Sequence, residues 1–264
     1  MVQKIDGQKI AEKIKDKVAK EIIKLNGPRP NLAIILVGER EDSKIYVGLK
    51  EREGKKIGVD THLYKMDEDI TEAELLRTID FLNKDAMIDG ILVQLPLPDK
   101  FNTDKIIAAV DPKKDADGFH PDCPDYIVSP VLAAIKACIE DINFDVAGKT
   151  ACVLNNSEIF GLGVKEMLEK LGMKVNLKDN PEQADLLVTA LGEPEKIKAS
   201  MIKKDAVIID IGITKVGDQV LGDVDFKDIK DKAAFITPVP GGIGPMTVAF
   251  LFRNVLEIFK RREK

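Results

Sequence analysis

The chain has 264 residues, 44% of them apolar and 32% charged, with 40 basic and 45 acidic side chains and a net charge of −5. This composition is typical of a globular protein with a core, and it excludes a disordered or collagen-like chain. The acidic balance argues against a nucleic-acid partner, and no apolar run approaches the roughly 20 residues that a membrane helix needs, so no membrane partner is expected.

Cysteine and histidine are too sparse for a metal site. Three cysteines without Cys-x-x-Cys spacing argue against both a disulfide framework and structural zinc, and we expect no metal. With only two histidines in the chain, acid–base chemistry would fall on Lys, Tyr, Asp or Glu. The first 25 residues alternate charged and apolar residues and contain no unbroken apolar stretch, so a cytoplasmic location is expected rather than export.

The first half of the chain alternates short β-rich runs with amphipathic segments, which is the pattern of a parallel sheet with helices on its faces. Thr71 and Glu74 form a candidate capping box at the start of the third helix. Strands are predicted at 32–37, 60–64 and 90–94, and helices at about 5–25, 43–57 and 71–83.

The second half repeats the scheme, with strands predicted at 150–154, 174–177, 186–189, 207–211 and 235–237. A proline- and glycine-containing stretch within 117–146 marks the join and precedes a helix at 131–139. The predicted fold is therefore α/β, with two α/β domains around a cleft: residues 1–140, and a Rossmann-type dinucleotide-binding domain at 141–245. A last helix within 246–264 is expected to pack back onto the first domain. Ligands of such sheets bind beyond the carboxyl ends of the strands.

Ser43, Tyr46 and Lys50 follow the first strand at helical spacing, so they share one helix face. A lysine beside a tyrosine hydroxyl in a cleft loses its charge readily and can act as a general base. The alternative is an ordinary solvated helix surface, which the other lysines of this segment favour.

Polar side chains also follow the third strand. Gln94 stands at its end, before the stiff 95–98 segment, and is a candidate to orient a catalytic group. Asp115 and Asp117 lie in a glycine-containing turn near the domain join, where a carboxylate can accept paired hydrogen bonds from an amino-heterocycle. The alternatives are local backbone bonding by Gln94 and an ordinary Asx turn.

Two loops in the second half of the chain have sequences suited to lining a ligand-binding site. The loop 155–163 joins a strand to a helix, and free backbone N–H groups at a helix start can hold a phosphate. The loop 237–247 contains three prolines and three glycines, which give a stiff segment that a ligand can approach closely, with Pro245 expected at the first helical position. A rigid connector is the alternative for the second loop.

Together these motifs resemble the methylenetetrahydrofolate dehydrogenase/cyclohydrolase family. The resemblance covers nearly the whole chain and rests on Ser43–Tyr46–Lys50 and on segments 90–98, 114–119, 209–213, 222–225 and 237–247. It implies a bifunctional enzyme of one-carbon metabolism, both an oxidoreductase and a hydrolase. Such an enzyme oxidises 5,10-methylenetetrahydrofolate to 5,10-methenyltetrahydrofolate with NADP, then hydrolyses it to 10-formyltetrahydrofolate. It also implies a homodimer, tetrahydrofolate derivatives as partners and a link to purine biosynthesis.

The resemblance also implies roles for individual residues. Lys50 would be the catalytic lysine, held by Gln94, with Tyr46 against the folate and Asp117 on the pterin ring. Further folate contacts would come from Val93, Leu95, Pro240, Gly241 and Gly242. Cofactor contacts would come from Asn155, Asn156, Ser157, Ile159, Lys178, Asp179, Ile213 and Thr247.

Three departures from the family pattern stand out. Asn155-Asn156-Ser157 replaces Gly-Arg-Ser, so an arginine that can pair with a 2′-phosphate is absent. Lys178-Asp179-Asn180 replaces a His-Ser type sequence, and Ile127-Val128-Ser129-Pro130 replaces Pro-Cys-Thr-Pro. The first two predict NADP with weakened discrimination against NAD. The alternative function is a catalytically silent folate- or dinucleotide-binding regulatory protein on the same fold.

Overall fold

The computed structural model describes residues 2–25 and 27–262. Its helices and strands follow in chain order: β1 (Gln3–Lys4), α1 (Gly7–Lys24), β2 (Asn31–Val37), α2 (Glu41–Ile57), β3 (Asp60–Met66), α3 (Glu72–Lys84), β4 (Gly90–Val93), α4 (Thr103–Ala108), α5 (Pro130–Asp141), β5 (Thr150–Asn155), α6 (Glu158–Lys170), β6 (Lys174–Leu177), β7 (Leu186–Ala190), β8 (Val207–Asp210), β9 (Thr214–Val216), β10 (Gln219–Leu221), α7 (Phe226–Ile229), β11 (Phe235–Ile236) and α8 (Ile243–Arg262).

The chain forms two compact units that divide differently from the expected domains. The six-stranded unit comprises Met1–Ala11 and Val131–Thr247, and the three-stranded unit comprises Glu12–Pro130 and Val248–Lys264. The start of the chain groups with the second half because β1 pairs in parallel with β11, with Gln3 opposite Phe235. The helix α5, expected at the end of the first domain, also lies in the six-stranded unit for most of its length.

The three-stranded unit is built around β2, which pairs in parallel with β3 on one side and β4 on the other. Alternate residues of a strand point to opposite faces, and both faces of β2 are covered. Ile34 packs in a cluster with Phe252 of α8, whereas Ile35 packs in a second cluster with Ile79 of α3. Burial on both faces explains why β2 is a continuous apolar run.

The six-stranded unit has the parallel strand order β1-β11-β8-β7-β5-β6. β6 lies on one side of β5, and the chain then returns to form β7 on the other side. In a sheet of this kind the ligand crevice lies where the strand order reverses, at the carboxyl ends of the strands. The loops that follow β5 and β7 are therefore the structural candidates for a dinucleotide site.

The structure confirms the predicted α/β class and the predicted strands and long helices, with ends shifted by a few residues. The short helices α4 and α7 and the antiparallel β9–β10 hairpin, which turns at Gly217 with φ +60°, were not anticipated. α8 begins at Ile243, so Pro245 is the third helical residue rather than the first. Proline is tolerated there because N–H groups of the first turn have no intrahelical partner. Within the described residues, no helix has the length and apolar character needed to cross a membrane.

Candidate active site

The face of α2 that carries Ser43, Tyr46 and Lys50 is not a solvated surface. Ser43 is buried, and Tyr46 and Lys50 are each half-buried. The helix ends at Ile57, and the following Gly58 adopts φ +89°, so the chain turns sharply into β3. The structure therefore places this face partly in contact with protein rather than wholly in solvent.

Lys50 and Gln94 are joined by a hydrogen bond. Lys50 Nζ donates to Gln94 Oε1 at 2.7 Å, and Gln94 Nε2 donates to the carbonyl of Leu95 at 2.7 Å. The backbone N–H of Gln94 continues the sheet by donating to Ile35 at 2.9 Å. Because both ends of the amide are used, its orientation is fixed, and it presents an acceptor to the lysine.

Burial shapes the charges of Lys50 and Asp117. Loss of solvent lowers the pKa of Lys50 from its usual value, and the nearby Asp117 carboxylate opposes that change. Burial likewise raises the pKa of Asp117 to about 6, opposed by Lys50 and reinforced by Asp115. Perturbed groups that influence each other in this way are typical of functional sites.

The two acids of the glycine-containing turn have different tasks. Asp115 is buried, and its carboxylate accepts hydrogen bonds from the N–H groups of Asp117 at 3.0 Å and His120 at 2.7 Å, as an Asx turn does. Across residues 2–25 and 27–262, no group donates a hydrogen bond to the Asp117 carboxylate. Asp115 therefore forms the turn, whereas the Asp117 carboxylate accepts no hydrogen bond from the described residues.

Neighbouring positions contribute less directly. Val93 is buried and Leu95 half-buried, and both pack with the α3 cluster, so their side chains serve mainly the core. Asn254 of α8 is fully buried, and its Nδ2 donates to the carbonyls of Ala116 and Val128, each at 2.9 Å. The sequence analysis did not identify Asn254, which ties the backbone just before Asp117 to the 127–130 segment.

In the six-stranded unit, the three residues after β5 face different surroundings. Asn155 is buried and its amide donates to the carbonyl of Ser157, so its side chain supports the loop rather than a ligand. Asn156 is exposed, and its Nδ2 donates to the carbonyl of Leu191 at 2.6 Å. Ser157 caps α6 by accepting from Phe160 N–H at 3.4 Å.

Four other residues assigned to the cofactor, Ile159, Lys178, Asp179 and Ile213, are exposed, whereas Thr247 is half-buried. Ile159 and Ile213 expose 67% and 46% of their surfaces, which is unusual for isoleucine and leaves apolar surface for a ring to cover. Lys178 and Asp179 are exposed directly after β6, and Lys178 has φ +66°. Both residues are therefore accessible to solvent beyond the carboxyl end of β6.

The proline- and glycine-rich loop is held tightly on one side. A Cβ on Gly242 would lie 2.5 Å from the Pro238 carbonyl oxygen, and a Cβ on Gly7 would lie 1.9 Å from the Gly242 carbonyl oxygen. Gly241 has φ +101°, and Pro240 is exposed. Thr247 donates to the Gly244 carbonyl at 2.8 Å within the first turn of α8.

The three cysteines are free thiols whose burial disfavours ionisation. Cys138 and Cys152 are buried, Cys123 is half-buried, and all three are free thiols. Burial raises the pKa of Cys123 and Cys138 to about 12 and that of Cys152 to about 11, so the thiolates do not form readily. In the described part of the chain, no three His, Cys, Asp or Glu side chains are grouped to hold a metal ion.

Comparison with known proteins identifies the family of the chain. The tetrahydrofolate dehydrogenase/cyclohydrolase catalytic-domain model matches residues 5–117, and the NAD(P)-binding-domain model of the same family matches residues 130–263. A bifunctional protein FolD from Geotalea daltonii is 42% identical, with 99% of this chain and all of that protein covered.

Solved structures give the same result. The Campylobacter jejuni FolD enzyme, a methylenetetrahydrofolate dehydrogenase/cyclohydrolase, is 34% identical with a TM-score of 0.93, covering 99% of this chain and 100% of that one. The Trypanosoma brucei enzyme, solved with NADP and an inhibitor, is 31% identical with a TM-score of 0.94, covering 100% and 99%. The chain belongs to the tetrahydrofolate dehydrogenase/cyclohydrolase family.

Proposed function

We propose that this protein is an NADP-dependent methylenetetrahydrofolate dehydrogenase that also acts as a methenyltetrahydrofolate cyclohydrolase. The observation that carries this function is the desolvated Lys50 amine, bonded to Gln94 at 2.7 Å and influenced by the open Asp117 carboxylate. Membership in the family supports both activities.

The six-stranded unit fits a nicotinamide dinucleotide. The loops after β5 and β7 border the switch-point crevice, α6 offers a capped helix start, and Ile159 and Ile213 offer exposed apolar surface. Hydride acceptance is the chemistry that NADP supplies when it is bound. Ser157, Asn156 and Lys178 would hold its phosphates and ribose, with Ile213 against a ring.

The dehydrogenase step demands positioning more than acid–base chemistry. The hydride leaves the methylene carbon of the folate, and no proton has to move at that carbon. Asp117 would accept hydrogen bonds from the pterin, and Tyr46 would pack on the folate. These contacts would hold the reacting carbon within transfer distance.

Hydrolysis of the methenyl product needs a base. The methenyl group is a cation, so a charged ammonium beside it would repel it, whereas burial lowers the pKa of Lys50 and favours the neutral amine. Neutral Lys50 would accept a proton from the attacking water while its own N–H stays bonded to Gln94. The C–N5 bond of the hydroxyl adduct then breaks as the hydroxyl proton is transferred to N5, which leaves the formyl group on N10. Lys50 releases the proton that it accepted to solvent and returns to the neutral form.

One assay tests the function. Purified protein is mixed with methylenetetrahydrofolate and either NADP or NAD, and methenyltetrahydrofolate is followed by its absorbance. Rise and subsequent decay of that signal is the expected result. A folded protein that binds folate or dinucleotide with neither change would instead be the silent binding protein.

We also propose a homodimer that works in the cytoplasm and supplies one-carbon units to purine biosynthesis. These proposals rest on the family resemblance. One feature compatible with self-association is β3, an edge strand of seven residues in the three-stranded sheet. Light scattering at several protein concentrations tests the oligomeric state.

A further inference from the structure

Two buried aspartates of the six-stranded unit have no role in the function described so far. Asp210 ends β8, and Asp223 follows the β9–β10 hairpin; both are almost completely buried. Each carboxylate accepts three hydrogen bonds from nearby loops. Burying two carboxylates side by side costs free energy, which hydrogen bonds to both groups must offset.

Asp223 holds the loop that follows β7. Its Oδ2 accepts from Thr189 Oγ1 at 2.8 Å and from Leu191 N–H at 2.7 Å, and its Oδ1 accepts from Glu193 N–H at 3.0 Å. The carbonyl of Leu191 in turn accepts the amide of Asn156 at 2.6 Å. A continuous set of hydrogen bonds therefore links Asp223 to both sides of the switch-point crevice.

Asp210 holds the other loops in the same way. Its carboxylate accepts from the N–H groups of Gly212 at 3.0 Å, Asp223 at 3.1 Å and Val224 at 3.0 Å. Gly212 directly precedes Ile213, an exposed residue assigned to the dinucleotide. Asp210 thereby positions both the backbone beside Ile213 and the backbone of Asp223.

Two glycines are required by this packing. A Cβ on Gly212 would lie 2.1 Å from Asp223 Oδ1, and a Cβ on Gly222 would lie 2.1 Å from Asp210 Oδ2. The Asp223 carboxylate thus packs against Gly212, which follows Asp210, and the Asp210 carboxylate packs against Gly222, which precedes Asp223. The arrangement is reciprocal, and it leaves little freedom to either loop.

We propose that Asp223, supported by Asp210, is a positioning residue for the dinucleotide, because it fixes the post-β7 loop and, through Leu191, the side chain of Asn156. This inference rests on the proposed dehydrogenase function. It concerns cofactor binding alone, since Lys50, Gln94 and Asp117 belong to the three-stranded unit.

The chain contains a matched control for a purely structural role. Asp185 lies just before β7, at the amino ends of the strands and so at the end of the sheet opposite to the crevice. Its Oδ2 accepts from Thr150 N–H at 2.9 Å and Thr150 Oγ1 at 3.0 Å. Its Oδ1 accepts a hydrogen bond from Lys203 Nζ at 2.7 Å. Asp185→Asn therefore removes comparable bonds between strands far from the crevice.

The experiment compares Asp223→Asn with Asp185→Asn in the full chain. NADP binding is titrated by calorimetry, cyclohydrolase activity is assayed with methenyltetrahydrofolate, and thermal unfolding is recorded. Asp223→Asn should raise the Kd for NADP by at least about tenfold, because bonds to a charged group are lost. Its cyclohydrolase rate should stay within about twofold of the rate of the unmodified protein, a change much smaller than the tenfold change expected in the Kd. Asp185→Asn should lower the melting temperature without changing the Kd.

Thr189→Val provides a second variant if Asp223→Asn does not fold, because it removes a single bond to Asp223 and keeps the charge. It should raise the Kd by a smaller factor. An unchanged Kd in Asp223→Asn would overturn this inference alone, as would an unchanged Kd in Thr189→Val where Asp223→Asn is unfolded. An equal rise in Kd in Asp185→Asn would overturn it as well. An unmodified protein that does not bind NADP would overturn both the inference and the proposed dehydrogenase function.

Discussion

Lys50 donates its hydrogen bond to the oxygen of Gln94, and the nitrogen of the same amide is held by Leu95. A reversed amide would place its oxygen against the carbonyl oxygen of Leu95, two acceptors, and would lose that hydrogen bond. The amide therefore keeps Lys50 in place through one N–H and leaves the lone pair of a neutral amine available for a proton.

Lys50→Met should abolish hydrolysis of methenyltetrahydrofolate. General acid–base groups contribute about 10²–10⁴-fold in rate, and methionine keeps the length of the side chain without its proton-accepting nitrogen. Cofactor affinity should remain unchanged. Lys55→Met, an exposed position on the same helix, is the control; a Lys50→Met rate within about threefold of it, far short of that range, would contradict the assignment.

Gln94→Glu should impair hydrolysis at neutral pH by changing the charge of Lys50. A carboxylate against the amine favours the ammonium and so raises the pKa of Lys50, which burial otherwise lowers. The rate should recover partly as the pH is raised. A pH–rate profile of Gln94→Glu that coincides with the unmodified profile would show that Gln94 does not govern the lysine.

Folate binding should weaken as the pH falls through about 6. Burial raises the pKa of Asp117 to about 6, so the carboxylate is ionised above that pH and protonated below it. The ionised form accepts two or more bonds from the pterin edge, and the protonated form loses part of that capacity. The measurement is the KM for folate between pH 5 and 8.

Asp117→Asn supplies the comparison for that pH dependence. The variant should raise the KM at neutral pH, because losing a hydrogen bond to a charged group costs roughly 1.5–3 kcal/mol. It should also remove the change near pH 6. A change in KM near pH 6 that persists in Asp117→Asn would come from titration of the substrate or of another group in the protein.

Asn156→Arg should strengthen the preference for NADP over NAD. The amide nitrogen of Asn156 is bonded to Leu191, so the side chain offers its oxygen, an acceptor, to a nearby ribose. An acceptor suits a hydroxyl, whereas a 2′-phosphate is best bound by the bidentate donors of arginine. The ratio of kcat/KM for the two cofactors should rise about tenfold, as expected for a charge-assisted bond.

Gln183→Arg adds the same charge at an exposed position near the amino end of β5, where the carbonyl of residue 183 accepts from Thr150. This control should leave the ratio unchanged. Strong NADP selectivity in the unmodified protein, unaffected by Asn156→Arg, would mean that other residues hold the phosphate.

Local patterns were sufficient for most of the fold. The continuous apolar run of β2 predicts a strand buried on both faces, and the Thr71–Glu74 capping box predicts the start of α3; the structure contains both bonds of that box. Helical spacing placed Tyr46 and Lys50 on one face. Such signals lie within a few residues of one another and need no knowledge of distant contacts.

Distant contacts account for what the sequence analysis missed. β1 has only two residues, and its pairing with β11 spans most of the chain. Asn254 reaches Ala116 across 138 positions. The different roles of Asp115 and Asp117, and the orientation of the Asn156 amide, depend on which backbone groups lie within bonding distance, which spacing does not reveal.

The position of α8 has a consequence for how the protein is made. Its side chains complete the Phe252 cluster of the three-stranded unit, yet residues 131–247 are translated between that unit's first segment and the helix. At about 5–20 residues per second, the ribosome takes on the order of ten seconds to bridge the gap. Until α8 has been made, the part of the cluster that it covers stays exposed, and exposed apolar surface of this kind is prone to aggregation. Translational pauses within residues 131–247 are therefore a greater hazard to folding than pauses before residue 131.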